Sequence, residues 1–206
     1  DVYKRQMHVQ GKENKDWNNF GKPSAAFMKE CIQPLPEVEA CTAFSTADVA
    51  LVSLTDGNNR LKVDAMSTDP DFWKIFKLQF LDGKSFTEAE RGGDMQSVVI
   101  SASVARKLFG TTEAAGRQML LNREVVRIIG VVKDISVTAK DAYAQVWSMY
   151  HSNELNVTGW WSYNGNRTIA VLARTPDDFP AIKQGVEKRV KDDNACLEPG
   201  SYIHLT

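Results

Sequence analysis

The sequence predicts an α+β protein, and three observations support that class. Its 206 residues are enough for one large domain or two small lobes with a buried core. Several short stretches alternate apolar and polar residues, as half-buried strands do. Other stretches repeat apolar residues at intervals of three and four, which is typical of amphipathic helices. Since no internal repeat or low-complexity segment interrupts this mixture, we expect a globular fold of both element types.

The first third of the chain predicts a helix and a hairpin. Residues 7–19 are polar and typical of a loop or an extended lead-in. A helix is expected over 23–32, where a Pro-Ser start precedes inward-facing apolar residues. Strand character runs over 40–55, an Asp-Gly-Asn-Asn turn occupies 56–59, and 60–66 returns as a second strand.

The middle of the chain predicts two helices and two strands. A helix is expected over 69–76, because Asp-Pro is a favourable start and apolar residues follow on one face. A short buried strand over 98–100 leads into a helix that ends at Gly110. Residues 125–132 are rich in β-branched side chains and predict a strand, in which Gly130 indicates a bulge or a close backbone approach.

The last third of the chain predicts a strand, a loop and a strand–helix–strand unit. Residues 145–150 alternate as a strand does, and 151–166 are loop-like. A clear strand over 167–174 is followed by a helix over 175–193 with an apolar stripe on one face. A final strand is expected over 202–205.

Four motifs in the middle of the chain occur in a particular order. They are the turn Leu81-Asp82-Gly83, the helix Ser103-Val104-Ala105-Arg106-Lys107-Leu108-Phe109-Gly110, the pair Gly116-Arg117, and the strand Ile129-Gly130-Val131-Val132-Lys133-Asp134. Their order and spacing resemble the extracytoplasmic (periplasmic) core domain of MacB/FtsX-like ABC transporter permeases. The resembling stretch covers about a third of the chain, and the flanks fit the same family more loosely.

The resemblance implies a two-lobed domain. An α/β lobe near the membrane would be formed by both chain ends, residues 7–66 and 139–206, with a mixed lobe of residues 67–138 inserted into it. The chain would then be an excised loop between two transmembrane helices, and both of its ends would lie close together on one side. Residues 1–6, Asp-Val-Tyr-Lys-Arg-Gln, look like a translated sequencing adapter and are excluded from the fold prediction.

The resemblance also implies a non-enzymatic role in transmembrane transport at the bacterial inner membrane. A cytoplasmic ATPase subunit, reached through the transmembrane helices, would drive this domain in the periplasm as a rigid body. ATP hydrolysis would thereby be coupled to conformational change outside the membrane or to export. A second permease copy or paralogue and a periplasmic adaptor or cargo are the further implied partners.

Composition and charge exclude several other classes. The net charge is −1 and no basic run occurs, so nucleic-acid binding has no electrostatic support. No run reaches the ~18 apolar residues that span a bilayer, and no signal peptide is recognisable. Gly92-Gly93 lacks the Lys-Ser/Thr of a phosphate-binding loop, so no nucleotide cofactor is predicted.

Three cysteines give no metal or redox motif. Cys31, Cys41 and Cys196 include no Cys-x-x-Cys pair. They are predicted to be buried or half-buried thiols. A Cys31–Cys41 disulfide is the alternative, and it requires an oxidising compartment and Cα atoms within about 7 Å.

No catalytic residue is predicted. Ser101 and Ser103 lack a nearby base or a nucleophile motif and are better explained as helix caps. His8, His151 and His204 lie in separate regions without a supporting motif. A pocket that placed a histidine beside a serine or an aspartate would instead indicate a hydrolase.

An aromatic cluster over 143–163 contains the candidate interaction surface. Trp160, Trp161 and Tyr163 lie in a loop-like stretch, where exposed aromatic rings mark binding surfaces. A buried core is the competing explanation, because Trp and Tyr are mostly buried. The alternative function that this cluster suggests is a secreted or periplasmic carbohydrate-binding module.

Overall fold

The computed structural model describes residues 7–10, 18–156, 163–195 and 202–205. Within these ranges it contains both helices and strands, which confirms the predicted α+β class. The chain divides into two compact units, a terminal unit of Asp1–Ala43 with Asn153–Thr206 and a middle unit of Phe44–Ser152. No helix in the described ranges is both long and apolar enough to cross a membrane.

The elements are numbered in chain order. The strands are β1 (Met7–Gln10), β2 (Asn18–Pro23), β3 (Val38–Ser45), β4 (Asp48–Ser53), β5 (Leu61–Thr68), β6 (Phe80–Gly83), β7 (Ser97–Ser101), β8 (Gln118–Leu121), β9 (Glu124–Val132), β10 (Val146–Met149), β11 (Asn164–Gly165), β12 (Arg167–Ala173) and β13 (Tyr202–Leu205). The helices are α1 (Ala25–Phe27, continued as a π-helix over Met28–Ile32), α2 (Asp71–Phe76), α3 (Ala102–Phe109) and α4 (Phe179–Ala195). Short 3-10 turns occupy Glu88–Glu90, Ser152–Leu155 and Pro176–Asp178.

The terminal unit brings the two ends of the described chain together. Strand β1 pairs antiparallel with β13, so that Met7 lies opposite Leu205 in a four-stranded sheet of order β11-β2-β1-β13. A separate pair is formed by β12 and β3. The expectation that both ends lie close together on one side is therefore confirmed for the described strands.

Helices α1 and α4 supply the core of the terminal unit. Ser24 caps α1 by accepting a hydrogen bond from the Phe27 N–H at 3.1 Å. Helix α4 lies against the π-helical continuation of α1 and buries the predicted stripe of Ile182, Val186 and Val190. The predicted helices at 23–32 and 175–193 are both confirmed, although β2 extends to Pro23 and α1 begins only at Ala25.

The middle unit is a closed barrel. Its strands follow the order β6-β9-β7-β10-β5-β4-β8, and β8 pairs again with β9, which closes a ring of β9, β7, β10, β5, β4 and β8. The inward-facing side chains form a continuous apolar core together with α3. Those buried most completely are Val52, Val98, Ile100, Ala105, Ala114, Met119, Val126, Ile128, Val131 and Val146. Closure leaves β6 as an extra strand beside the end of β9.

Part of the barrel's outer surface is covered by an aromatic layer. Trp147 on β10 points away from the barrel interior, yet it is fully buried. Trp73 on α2 packs against it, with ring centroids 6.0 Å apart. The rest of the layer consists of Phe44, Phe72, Phe76, Phe80 and Phe86, which contact one another or Trp73 edge-on or tilted.

Strand pairing places two segments in the middle unit that the sequence analysis grouped with the chain ends. Residues 44–66 and 139–152 supply β4, β5 and β10, and all three strands pair within the barrel. The predicted strand over 40–55 is also divided. Residues 46–47 leave the strand, because β3 pairs with β12 and β4 pairs with β5 and β8.

Gly130 lies where β6 and β9 approach most closely. A Cβ at this position would overlap the Lys84 carbonyl oxygen and would lie 2.8 Å from Cε1 of Phe80. Gly83 on the facing strand has a φ of +66° and would place a Cβ 3.0 Å from the Cα of Gly130. The close approach predicted from Gly130 is therefore confirmed.

We expect Gly130→Ala to destabilise the chain. The added methyl must push β6 away from β9, and overpacking of this kind costs about 1–3 kcal/mol. The free energy of unfolding should fall by that amount in urea denaturation followed by circular dichroism. Gly93→Ala is the matched control, because Gly93 has ordinary space around it, with the nearest atoms at 3.8 Å. Equal stability of the two variants would contradict the prediction.

Candidate functional site

The predicted aromatic surface is only partly described by the structure. Trp160 and Trp161 lie outside the described residues, and their role stays a prediction. Tyr163 is described and is 7% exposed, so its ring is not offered to solvent. Its ring instead packs edge-on against Phe27 of α1, with centroids 5.6 Å apart. Two further members of the predicted cluster, Trp147 and Tyr150, are buried in the middle unit.

Tyr163 belongs to a polar cluster in the terminal unit. Its hydroxyl donates a hydrogen bond to Oδ2 of Asp193 on α4 at 3.1 Å. The thiol of Cys31 donates to the same oxygen from 3.8 Å. Oδ2 of Asp193, near the end of α4, therefore accepts hydrogen bonds from two segments. One is Tyr163, just before β11, and the other is the π-helical turn that contains Cys31.

The electrostatics of this cluster make the thiol unreactive. Burial, with the nearby charge of Asp193 as a second cause, raises the pKa of Cys31 to about 12. Burial likewise raises the pKa of Tyr163, and Cys31 and Asp193 add to that rise. Both groups thus keep their protons and act as donors, whereas a reactive cysteine needs a lowered pKa. Cys31 and Cys41 are both buried as thiols, and the alternative Cys31–Cys41 disulfide is not formed.

A polar cavity of about 320 Å³ opens in the middle unit. Arg91 is fixed beside it by Glu88, which accepts from Nε at 2.6 Å and from Nη2 at 3.0 Å. This hydrogen bonding lowers the pKa of Glu88. Arg91 also donates to the Tyr150 carbonyl at 2.9 Å and lies over the Tyr150 ring, 5.1 Å from its centroid. The Tyr150 hydroxyl in turn donates to Asp69 at 3.1 Å.

The cavity places a histidine near serines and an aspartate, which is the arrangement that would indicate a hydrolase. His151, Ser97, Ser152 and Asp94 are among its lining residues. Across the described ranges, however, no hydrogen bond joins His151 to a serine or a carboxylate. A nucleophile needs a base within hydrogen-bond reach and a group that orients the base. In this cavity, therefore, the described residues do not form the hydrogen-bonded nucleophile and base of a hydrolase. Arg91 instead connects its own loop to the residue that follows β10, through its hydrogen bond to the Tyr150 carbonyl.

Ser101 caps helix α3, as predicted, whereas Ser103 lies within the helix and does not cap it. The Ser101 hydroxyl accepts from the Val104 N–H at 3.5 Å at the start of α3. The Ser103 N–H is bonded instead to Oδ1 of Asp134, at 2.9 Å. No group of three or more His, Cys, Asp or Glu side chains in the described ranges is placed to hold a metal ion.

The four sequence motifs meet in space. Asp82, from the Leu-Asp-Gly turn, accepts from the Ala115 N–H at 2.8 Å, directly before Gly116-Arg117. Gly83 from the same turn touches Gly130 of the strand motif. Asp134, which ends the strand motif, binds the first turn of the helix motif through Ser103. The motifs therefore contact one another in the barrel unit, where Asp82 and Asp134 each accept a hydrogen bond from a backbone N–H.

The described residues therefore form a closed barrel and a second unit that is built from both chain ends. A family model, that of the MacB-like periplasmic core domain, matches residues 3–189. The chain belongs to this family, which is a component of ABC transporter permeases. The resemblance stated from the four motifs is confirmed.

Known proteins and structures agree with this assignment. The macrolide export ATP-binding/permease protein MacB of Wolinella succinogenes is 26% identical over 149 residues, which is 71% of this chain and 23% of that protein. The periplasmic region of MacB from Actinobacillus actinomycetemcomitans superposes with a TM-score of 0.63 at 16% identity, covering 97% of this chain and 87% of that one. The extracellular domain of the noncanonic ABC-type transporter YknZ from Gram-positive bacteria gives 0.62 at 15% identity, covering 98% and 100%.

The two kinds of comparison differ in what they cover. The chain spans only about a quarter of the length of the curated relatives that it matches. It matches nearly the whole of the two solved extracytoplasmic domains. The chain therefore corresponds to one extracytoplasmic domain of such a transporter and not to the whole transporter.

We expect the chain to lose stability in alkali through Cys31. An unfolded thiol loses its proton near its ordinary pKa of 9.0, whereas the folded thiol keeps it to about 12. The folded state thus binds more protons in this interval, and the free energy of unfolding must fall as the pH rises. Tyr163 contributes with the same sign, because its pKa is also raised.

Urea denaturation at several values between about pH 8 and pH 10 measures this loss. Cys31→Ala should give a shallower decline of unfolding free energy with pH than the parent chain. Ile32→Val is the matched control, since it removes one methylene group from the same buried turn and leaves every titratable group in place. A decline that is equally steep in all three chains would show that the thiol does not carry it.

Proposed function

We propose that this chain is the part of an ABC transporter permease that lies outside the membrane and transmits the conformational change driven by a cytoplasmic ATPase. The observation that carries the proposal is the pairing of β1 with β13 in a member of the MacB-like periplasmic core domain family. The setting would be the bacterial inner membrane, with this domain in the periplasm. Its work would be conformational change or export, without catalysis by the domain itself.

Adjacent ends suit a domain inserted between two membrane helices. A loop that leaves one helix and enters the next must start and finish near the same place on the membrane. In the terminal unit, Met7 lies opposite Leu205 and Gln10 lies opposite Tyr202. Movement of either flanking helix would then act on two hydrogen-bonded strands of one sheet, and both ends would move together.

A transmitting domain must also resist deformation, and two features of the chain favour this. The barrel core is continuous, and ring closure leaves few strand edges at which the sheet could open. In the terminal unit, Arg167 is buried and paired with Glu154, and Asp193 ties α4 to the turn that follows α1. Densely packed interiors of this kind transmit strain rather than absorb it.

The partners follow from the same proposal. The motor would be an ATPase subunit that is reached through transmembrane helices on either side of this domain. A second permease copy or paralogue would complete the transporter, and an adaptor or cargo would meet the domain outside the membrane. The relatives matched by sequence combine an ATP-binding part and a permease part under one name, macrolide export ATP-binding/permease protein.

The location is tested by labelling intact cells that express the full-length permease. Val137 is 64% exposed, and Val137→Cys is made in a Cys196→Ser background. A membrane-impermeant maleimide should modify this cysteine without cell lysis, because the domain faces the outside of the membrane. The buried Cys31 provides the control, since it should react only after denaturation. Modification that requires lysis would place the domain in the cytoplasm and overturn the proposal.

Coupling is tested on the complete transporter in lipid nanodiscs. A spin label at Val137→Cys on each of two copies reports the distance between them by pulsed electron resonance. We expect ATP binding to shift that distance distribution, and an ATPase variant that cannot hydrolyse ATP should stay in the shifted state. Identical distributions with and without ATP would show that the domain does not follow the motor.

A further inference from the structure

Two of the three histidines of the chain are neighbours across a pair of strands. His8 on β1 lies directly opposite His204 on β13 in the antiparallel register. The two residues are nearly two hundred positions apart in the sequence, so only the pairing of the two chain ends brings them together. The third histidine, His151, belongs to the middle unit and lines the polar cavity there.

Strand alternation places both histidines on one face of the terminal sheet. Successive residues of a strand belong to opposite faces, and residues directly opposite each other on neighbouring strands share a face. One face of the β1–β13 pair is entirely apolar, with Met7, Val9, Ile203 and Leu205. The other face is polar, with His8, Gln10, Tyr202 and His204. This division is typical of an antiparallel sheet that has one face on a core and the other in water, and the histidines belong to the polar face.

The residues that share this face leave imidazole as its natural metal ligand. On the side away from β13, His8 lies opposite Phe20 of β2, and Lys22 is two residues further along that strand. The next row across the same face consists of Tyr202, Gln10 and Asn18. Neither row contains a carboxylate. Ca²⁺ and Mg²⁺ require oxygen ligands, whereas imidazole suits Cu²⁺, Ni²⁺ and Zn²⁺.

The spacing of directly opposite residues suits chelation of one ion. In an antiparallel pair their Cβ atoms are about 4.5–5.5 Å apart. Imidazole nitrogen binds a metal such as zinc at about 2.0–2.1 Å, and two imidazoles at this spacing are within reach of the same ion. Two ligands from adjacent strands of one sheet are also already ordered relative to each other, which lowers the entropic cost of binding.

We propose that His8 and His204 form a binding site for a divalent transition-metal ion of the Cu²⁺, Ni²⁺ and Zn²⁺ class. Each end of the chain would supply one imidazole, and water would fill the remaining coordination positions. The bound ion would join β1 to β13 in addition to their backbone pairing. Such a link closes a loop of nearly the whole chain, so it should stabilise the folded state. The site goes beyond the proposed function, which requires adjacent ends but no metal.

Copper binding tests the proposal with each histidine removed in turn. The chain carries Cys196→Ser, so that this thiol takes no part, and is titrated with CuCl₂ at about pH 7.5, where imidazole is mostly neutral. His8→Gln and His204→Gln should each weaken Cu²⁺ binding at least about tenfold, because even the hydrogen-bond partners of metal ligands are worth that much. His151→Gln is the matched control and should bind Cu²⁺ as the parent chain does.

Electron paramagnetic resonance of the bound Cu²⁺ counts the ligands. The parent chain and His151→Gln should both show superhyperfine coupling to two nitrogen nuclei. His8→Gln and His204→Gln should each show coupling to one. Circular dichroism without metal checks that every variant is folded. An excess of Mg²⁺ should leave the copper spectrum unchanged, since this ion requires oxygen ligands.

A second measurement needs no substitution at the site. The ring nitrogens of the three histidines are followed by nuclear magnetic resonance in the ¹⁵N-labelled chain while Zn²⁺ is added. Two of the three rings should shift together, and the ring that does not shift should be the one missing from the spectrum of His151→Gln. The midpoint of thermal unfolding should rise with Zn²⁺ in the parent chain and in His151→Gln, and should stay constant in His8→Gln.

Three results would overturn the proposal. One is Cu²⁺ affinity that is unchanged in both His8→Gln and His204→Gln. Another is coupling to a single nitrogen in the parent chain, and the third is a Zn²⁺ response confined to His151. All of these are measured on the chain alone, so such a failure leaves the labelling and spin-label tests of the proposed function unaffected.

Discussion

The close approach of β6 and β9 is the constraint that attaches a further strand to the closed ring of the middle unit. Gly83 and Gly130 face each other with too little room for a Cβ on either residue. Their contact lets the Lys84 N–H donate to the Ile129 carbonyl at 2.9 Å. Strand β9 can then turn from β8 at its start to β6 at its end while β7 runs along its other edge. Strand β9 therefore has three partners, of which β7 and β8 belong to the closed ring and β6 lies beside it.

This constraint explains why the motifs in the sequence could be recognised at all. A glycine inside a β-branched strand is costly unless a close backbone approach requires it, and Gly130 was predictable for that reason. Asp82 and Asp134 carry no visible chemistry in the sequence. Each binds a backbone N–H that lies 33 or 31 residues away along the chain, so the spacing of the motifs reflects contacts. Family membership followed from that spacing, whereas the contacts themselves required the structure.

Helix caps and apolar helix faces could be predicted from the sequence, because each depends on residues that are close together along the chain. The Ser101 cap and the α4 stripe each depend on residues within one or two turns of a helix. Barrel closure depends on two register pairs between β4 and β8, Val52 with Leu121 and Ser53 with Leu120. Those pairs join segments almost seventy positions apart, and alternation within each strand contains no information about its partner. The sequence therefore indicated strands without indicating a barrel.

The aromatic residues show the same limit. Composition alone could not separate exposed rings from buried ones between 143 and 163, because burial is decided by distant partners. Tyr163 is held by Asp193, 30 residues away, and Trp147 is covered by α2, which lies more than seventy residues earlier. Large apolar side chains are instead exposed on β4, β6 and β9 and at Val137, where the sequence contained no sign of unusual exposure.

The outer surface of the barrel has two regions that differ in what covers them. On one, Trp73 and Trp147 bury the strands beneath a layer that the chain supplies itself. On the other, Val49, Leu51 and Val125 are exposed, while Asp48 and Asn122 accept hydrogen bonds from the neighbouring backbone N–H groups. Because these backbone donors are occupied, the strand cannot readily pair with an added strand. These strands therefore expose aliphatic side chains without offering a free backbone edge at which aggregation could begin.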